Sequence, residues 1–156
     1  MRHTRKEVIE RTIREYKLLD KLVGGLKPED WKRPVPRPET KDPWTVKDSL
    51  AHITYWKADT ARSARGLKRP SEFLGLNETE ENRLIYMRWK KKSPREVLEW
   101  HRRVHNDVLK ALREAPEKWF TGKPRRKDWP YDVDAHLAYH RIQDIESVLE
   151  KTRGKK

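Results

Sequence analysis

The chain contains no cysteine, which excludes disulfides, thiolate nucleophiles, cysteine zinc fingers and iron–sulfur clusters. Glycine is scarce, at 6 residues, so neither a collagen-like repeat nor a glycine-rich all-β chain fits. No apolar run approaches the roughly 20 residues of a membrane span. The run Met1-Arg2-His3-Thr4-Arg5-Lys6-Glu7 lacks the apolar centre of a secretory leader. The expectation is a soluble, cytoplasmic protein without a membrane segment.

What remains suits one small core. The length of 156 residues is that of a single domain, 1–156, with a basic tail at about 151–156. Hydrophobic residues make up 34% against 40% charged, but the apolar set includes 7 Trp and 5 Tyr. Lys and Arg exceed Asp and Glu by 38 to 25, a net charge of +13. Such a surplus attracts polyanions through counterion release. Its clusters lie at 62–69, 88–92, 123–127 and 153–156, scattered along the chain. Trp89, embedded in Arg88-Trp89-Lys90-Lys91-Lys92, is of the type that stacks on exposed bases beside cations. No helix-turn-helix or other nucleic-acid motif accompanies it.

Helical periodicity dominates. From about Arg5 to Val23 the residues Val8, Ile9, Ile13, Tyr16, Leu19, Leu22 and Val23 recur at three- and four-residue steps. Gly24-Gly25 is expected to stop this helix through a left-handed glycine. Residues 32–43 carry four prolines and read as an extended crossing. Thr45 with Asp48 forms a variant capping box opening a second helix, with Val46, Leu50, Ile53 and Ala61 as its stripe and Gly66 as its end. Asn77 with Glu80 caps a short helix through Trp89. Ser93-Pro94-Arg95-Glu96 places a cap, a first-turn proline and a third-position acid in one run. Its helix runs to about Glu114, and residues 116–131 read as irregular. Asp132 caps a last helix carrying Val133, Leu137, Ile142, Ile145, Val148 and Leu149. No segment alternates with a period of two. The reading is all-α: an up-down four-helix bundle with one extra short helix.

Histidines are the chemistry-bearing candidates. His136 and His140 are four apart on the last helix, the spacing by which one helix offers two ligands to one metal. His52 lies at the flank of its helix's apolar stripe, as His136 and His140 do on theirs. His101 and His105 form a rival pair, also four apart, on the same side as Val97, Val104 and Val108. Spacing does not choose between the pairs, and every one of these imidazoles also suits an ordinary hydrogen-bonded position at the core edge.

A resemblance separates them. The run Trp44-Thr45-Val46-Lys47-Asp48-Ser49-Leu50-Ala51-His52-Ile53-Thr54-Tyr55-Trp56 resembles the second-helix signature of the DinB/YfiT-like superfamily, in which the histidine is a metal ligand. The run His136-Leu137-Ala138-Tyr139-His140-Arg141-Ile142-Gln143 is similar to the last-helix signature, whose two histidines complete the site. Ile142 stands where many members have glycine. The Asn77 region, the Ser-Pro-Arg-Glu-Val helix start and His105 also resemble the branch that includes ClbS and DfsB proteins.

The resemblance implies a three-histidine site of His52, His136 and His140 holding a divalent ion, zinc or nickel. Three imidazoles leave a coordination position open, the arrangement of catalytic rather than structural sites. Asp48 and Asp144, each one turn from a ligand, are candidates to orient the imidazoles. Tyr55, Trp56, Tyr139 and Trp100 are candidates for an apolar pocket, and His105 for a general acid–base within it. The function expected is a metal-dependent hydrolase or thiol transferase of stress response or detoxification, with a low-molecular-weight thiol as a possible co-substrate and a homodimer as the assembly. The alternatives are a basic nucleic-acid-binding protein and a non-catalytic dimeric bundle.

Overall fold

A computed structural model describes residues 4–36, 40–68, 70–121 and 145–151. Helix α1 spans Arg5–Gly24, α2 Val46–Ala64, α3 Glu78–Trp89, α4 Pro94–Glu114 and α5 Glu117–Thr121. Residues 145–151 are also helical. Short 3-10 turns occupy Asp30–Lys32 and Ser71–Phe73, and among the described residues the only strand-like pairing is an isolated bridge between Pro34 and Thr45. The all-α expectation holds.

The caps form as the residues dictate. Thr4, Thr45 and Asn77 each accept from the backbone three residues on, while Glu7, Asp48 and Glu80 reach back, giving three reciprocal capping boxes. Ser93 accepts from the Glu96 N–H ahead of Pro94. One expectation fails in its reason. Helix α1 does end at the glycine pair, but Gly25 has φ −95° and neither glycine there is left-handed. The left-handed glycines are Gly66, just past α2, and Gly75, ahead of α3.

Two apolar clusters show how the helices run. One joins Leu19 and Val23 of α1 to Val46, Leu50 and Ile53 of α2, Val97 of α4, and Ile145 and Leu149. The other joins Val8 of α1 to Ala61 and Ala64 of α2, Val104, Val108 and Leu112 of α4, and Phe120 of α5. Helix α1 is therefore antiparallel to α2 and α4, which run parallel to each other. The short α3 is the return stroke: its Asn82 meets Trp56 and its Trp89 meets Lys47, so it runs antiparallel to α2. Lys47 holds this return in place. Its amine donates to the carbonyls of Trp89 (3.0 Å) and Lys90 (2.6 Å), satisfying the last carbonyls of α3.

A further difference lies after α4. The region 116–131 was expected to be irregular, yet Glu117–Thr121 is helical. Phe120 is fully buried, under the guanidinium of Arg5 at 5.2 Å, and Arg5 also donates to the carbonyl of Ala115. Tertiary packing thus fixes a turn too short to show periodicity.

Candidate functional site

His52 projects from the middle of α2 into the interior and is only 2% exposed. The ring of Trp44 meets it edge-on at 5.3 Å, and that of Trp56, one turn along α2, at 6.3 Å. Behind them, Tyr86 stacks on Trp44 at 5.4 Å, and Asn82 accepts from the Trp56 indole at 3.3 Å. The surroundings of His52 are thus aromatic. Trp44 is positioned by the proline-rich crossing: Val35 N–H donates to Trp44 O, and Val46 N–H to Arg33 O.

The other expected residues distribute as follows. Asp48 accepts from both the backbone N–H and the hydroxyl of Thr45 at 2.9 Å, with the Lys47 amine 3.3 Å from its other oxygen. It is a capping carboxylate. Tyr55 faces α3 and packs on Phe73 and Trp56; burial beside Asp59 pushes its hydroxyl up to about 12. Trp100 stacks on Trp89 at 3.8 Å and 9°. That stack covers one face of the half-buried Trp89 ring between α3 and α4. His136, His140, Tyr139 and Asp144 lie outside the described residues. Among the described residues no group of three or more His, Asp or Glu is placed to hold a metal.

The rival pair occupies a second polar focus, between α1, α2 and α4. His101 is 1% exposed, and its Nε2 lies 3.3 Å from Asp20 Oδ1. Tyr16 stacks on His105 with centroids 3.5 Å apart and on His101 at 5.0 Å. Lys57 brings its amine to 5.8 Å from the Tyr16 ring centre. Burial and the adjacent Lys57 charge push both imidazoles down to about 4. Burial likewise brings the Lys57 amine down to about 8, against the pull of Glu15 and Asp20. Glu15 is raised, chiefly by burial. At neutral pH the focus therefore holds two neutral imidazoles beside a cationic amine.

Neither Trp44 nor Lys57 was singled out from the sequence as a functional residue. Trp44 precedes the helix, where periodicity assigns no face. Lys57 did leave a signal: it sits at four-residue steps between Ile53 and Ala61, so a lysine interrupts an apolar stripe.

The chain matches the family model described as DinB superfamily over residues 6–146. Solved structures of similar fold include an uncharacterised protein from Escherichia coli UTI89, at 12% identity and a TM-score of 0.79, covering 96% of this chain and 95% of that one. The colibactin self-resistance protein ClbS, crystallised in complex with a double-stranded DNA, aligns at 14% identity and a TM-score of 0.75, covering 94% and 96%. DfsB, a sibling lethal factor precursor, aligns at 14% identity and a TM-score of 0.67, covering 99% and 97%. No curated protein matches the chain. At these identities the likeness is one of fold.

Proposed function

The chain belongs to the DinB superfamily, and from that premise we propose that it is a metal-dependent enzyme acting on a small molecule, with His52, His136 and His140 as ligands. The observation that carries this reading is the burial of His52, at 2% exposure, between Trp44 and Trp56 on α2. The donor chemistry fits: a neutral imidazole suits zinc or nickel. When bound, such an ion supplies Lewis acidity to a water, a thiol or a carbonyl.

The chain's own residues supply the rest. Trp44 and Trp56 shield His52 from bulk water and give an apolar substrate flat surfaces to lie against. Asp48 and Lys47 fix the first turn of α2 and hence the direction of its inward face. His105 is the free base at neutral pH, the form that accepts a proton from a thiol or water. Its burial makes it a weak base, since proton transfer is most efficient when the pKa lies near the working pH. The reaction classes this suits are hydrolysis and thiol transfer.

Elemental analysis of untagged protein tests the reading. About one divalent ion per chain is expected, lost in His52→Ala and in His140→Ala and retained in His101→Ala. Loss in His101→Ala with retention in His140→Ala overturns the ligand assignment.

A second reading is nucleic-acid binding, favoured by the +13 charge and by the DNA in the ClbS complex. With one face of Trp89 covered by Trp100, it rests chiefly on phosphate contacts from Lys and Arg. Binding of a DNA duplex at two salt concentrations decides it: an affinity that does not fall with salt excludes the electrostatic mode.

A further inference from the structure

The focus between α1, α2 and α4 has an unbalanced charge. Two carboxylates approach it, and each already has a guanidinium. Glu15 is paired with Arg11 at 3.2 Å, and Asp20 with Arg102 at 3.2 Å. Lys57, half-buried and aimed across the Tyr16 ring, makes no ion pair with any described residue. After pairing, one positive charge remains. The histidines beside it have spare capacity as well. The Nδ1 atoms of His101 and His105 are buried and have no hydrogen-bond partner among the described residues. A desolvated cation and buried unmatched imidazole nitrogens each destabilise a site that contains nothing else.

We propose that Lys57, His101 and His105 form a binding site for a small carboxylate anion, walled on one side by the ring of Tyr16. The chemistry selects this class. One ammonium balances one negative charge, and each neutral imidazole carries one N–H to offer the carboxylate oxygens. Inorganic phosphate is divided between mono- and dianion near neutral pH; its dianion brings a second charge for which no second unpaired cation stands here, and its tetrahedral shape fits a planar two-oxygen contact less well. An ammonium ligand is excluded by Lys57 itself. Lys57 and His105 are half-buried and so reachable from solvent, while His101 is fully buried. A bound carboxylate also offsets the Lys57 charge and favours protonation of both imidazoles, raising the pKa of His105. None of this depends on the metal ligands, so a protein without bound metal tests it equally well.

The experiment is a titration of the full chain with sodium acetate at neutral pH and constant ionic strength, read by NMR of the histidine imidazoles and the Lys57 side chain. Saturable shifts of His101, His105 and Lys57 with one common dissociation constant are expected, together with a raised His105 pKa. Lys57→Met weakens binding by about tenfold or more, as loss of a charge-assisted contact requires. Lys110→Met, exposed on α4, leaves it unchanged. Sodium phosphate binds at least severalfold more weakly at matched concentration. Absence of saturation with acetate, unchanged affinity in Lys57→Met, or equal binding of phosphate overturns the proposal. The wild-type titration is itself decisive should Lys57→Met lose its fold.

Discussion

The rings of Tyr16 and His105 lie parallel to within 4°, with centroids 3.5 Å apart. The stack covers one face of an imidazole that burial and Lys57 already hold neutral, and His101 shares the same environment. Both groups are pushed down to about 4 in the folded protein, against 6.5 in their ordinary state. The unfolded chain therefore binds more protons than the folded one between those values. The stability these histidines contribute is fully present above about pH 6.5 and is lost as pH falls toward about 4; the unscreened shifts would total about 7 kcal/mol, and solvent screening at half-buried His105 with relaxation around His101 reduces this to on the order of 1–3 kcal/mol. Urea denaturation at neutral and mildly acidic pH measures the loss. A double His101→Gln, His105→Gln variant is expected to flatten the slope in this window, and an unchanged slope would contradict the assignment.

Lys47 ties the start of α2 to the end of α3 through two carbonyls. Replacing it with methionine keeps the aliphatic stem and removes the donors. The expected cost is about 1.5–3 kcal/mol, as for hydrogen bonds to a charged group. Hydrogen exchange in α3 is expected to accelerate more than in α4. Uniform acceleration in both helices would show that the contact stabilises the whole bundle and not this junction.

Two leucines with opposite burial give a calibration of the core. Leu50 is fully buried in the cluster that joins α1, α2 and α4, whereas Leu18 is 60% exposed on α1. Leu50→Ala is expected to cost about 2–5 kcal/mol through the lost contacts and the cavity left behind. Leu18→Ala should stay within about 0.5 kcal/mol. Thermal or chemical denaturation reads both, and a large effect of Leu18→Ala would reveal an interface on α1.

Trp89 is flanked by basic residues, yet one face of its ring is covered by Trp100. Trp89→Ala is expected to destabilise the fold by about 2 kcal/mol or more and to leave any affinity for DNA unchanged under conditions where the variant is folded. Neutralising Lys90, Lys91 and Lys92 should do the reverse, lowering the salt dependence of DNA binding with little effect on stability. Fluorescence-detected unfolding and a salt titration separate the two effects.

The parts of this molecule written in short-range chemistry were readable in its sequence. Thr45 with Asp48, Asn77 with Glu80, and Ser93 with Pro94 mark helix starts because an oxygen at one position must meet an N–H three residues later. The apolar stripes of α2 and α4 were readable for the same reason, being set by helical geometry. His101 and His105 read as lying on the same side as Val97, Val104 and Val108; His101 is fully buried there and His105 half-buried. What escaped depends on contacts between distant segments. Helix α5 exists because Phe120 fits beneath Arg5, over a hundred positions away. Lys57 gains meaning only when Tyr16 and His105 arrive from other helices. Trp44 reaches His52 because the crossing before it folds back. The pair His136 and His140, with Tyr139 and Asp144, lies outside the described residues, so the sequence signature alone speaks for them.

The bridge at Pro34 and Thr45 makes Trp44 two things at once: a rung of the strap entering α2 and the indole set against His52. The attachment point of that indole cannot shift without releasing the rung, and with it the Thr45–Asp48 clasp on the first turn. Any widening of this side beyond a rotation of the indole about its own bonds therefore takes local unfolding of the strap.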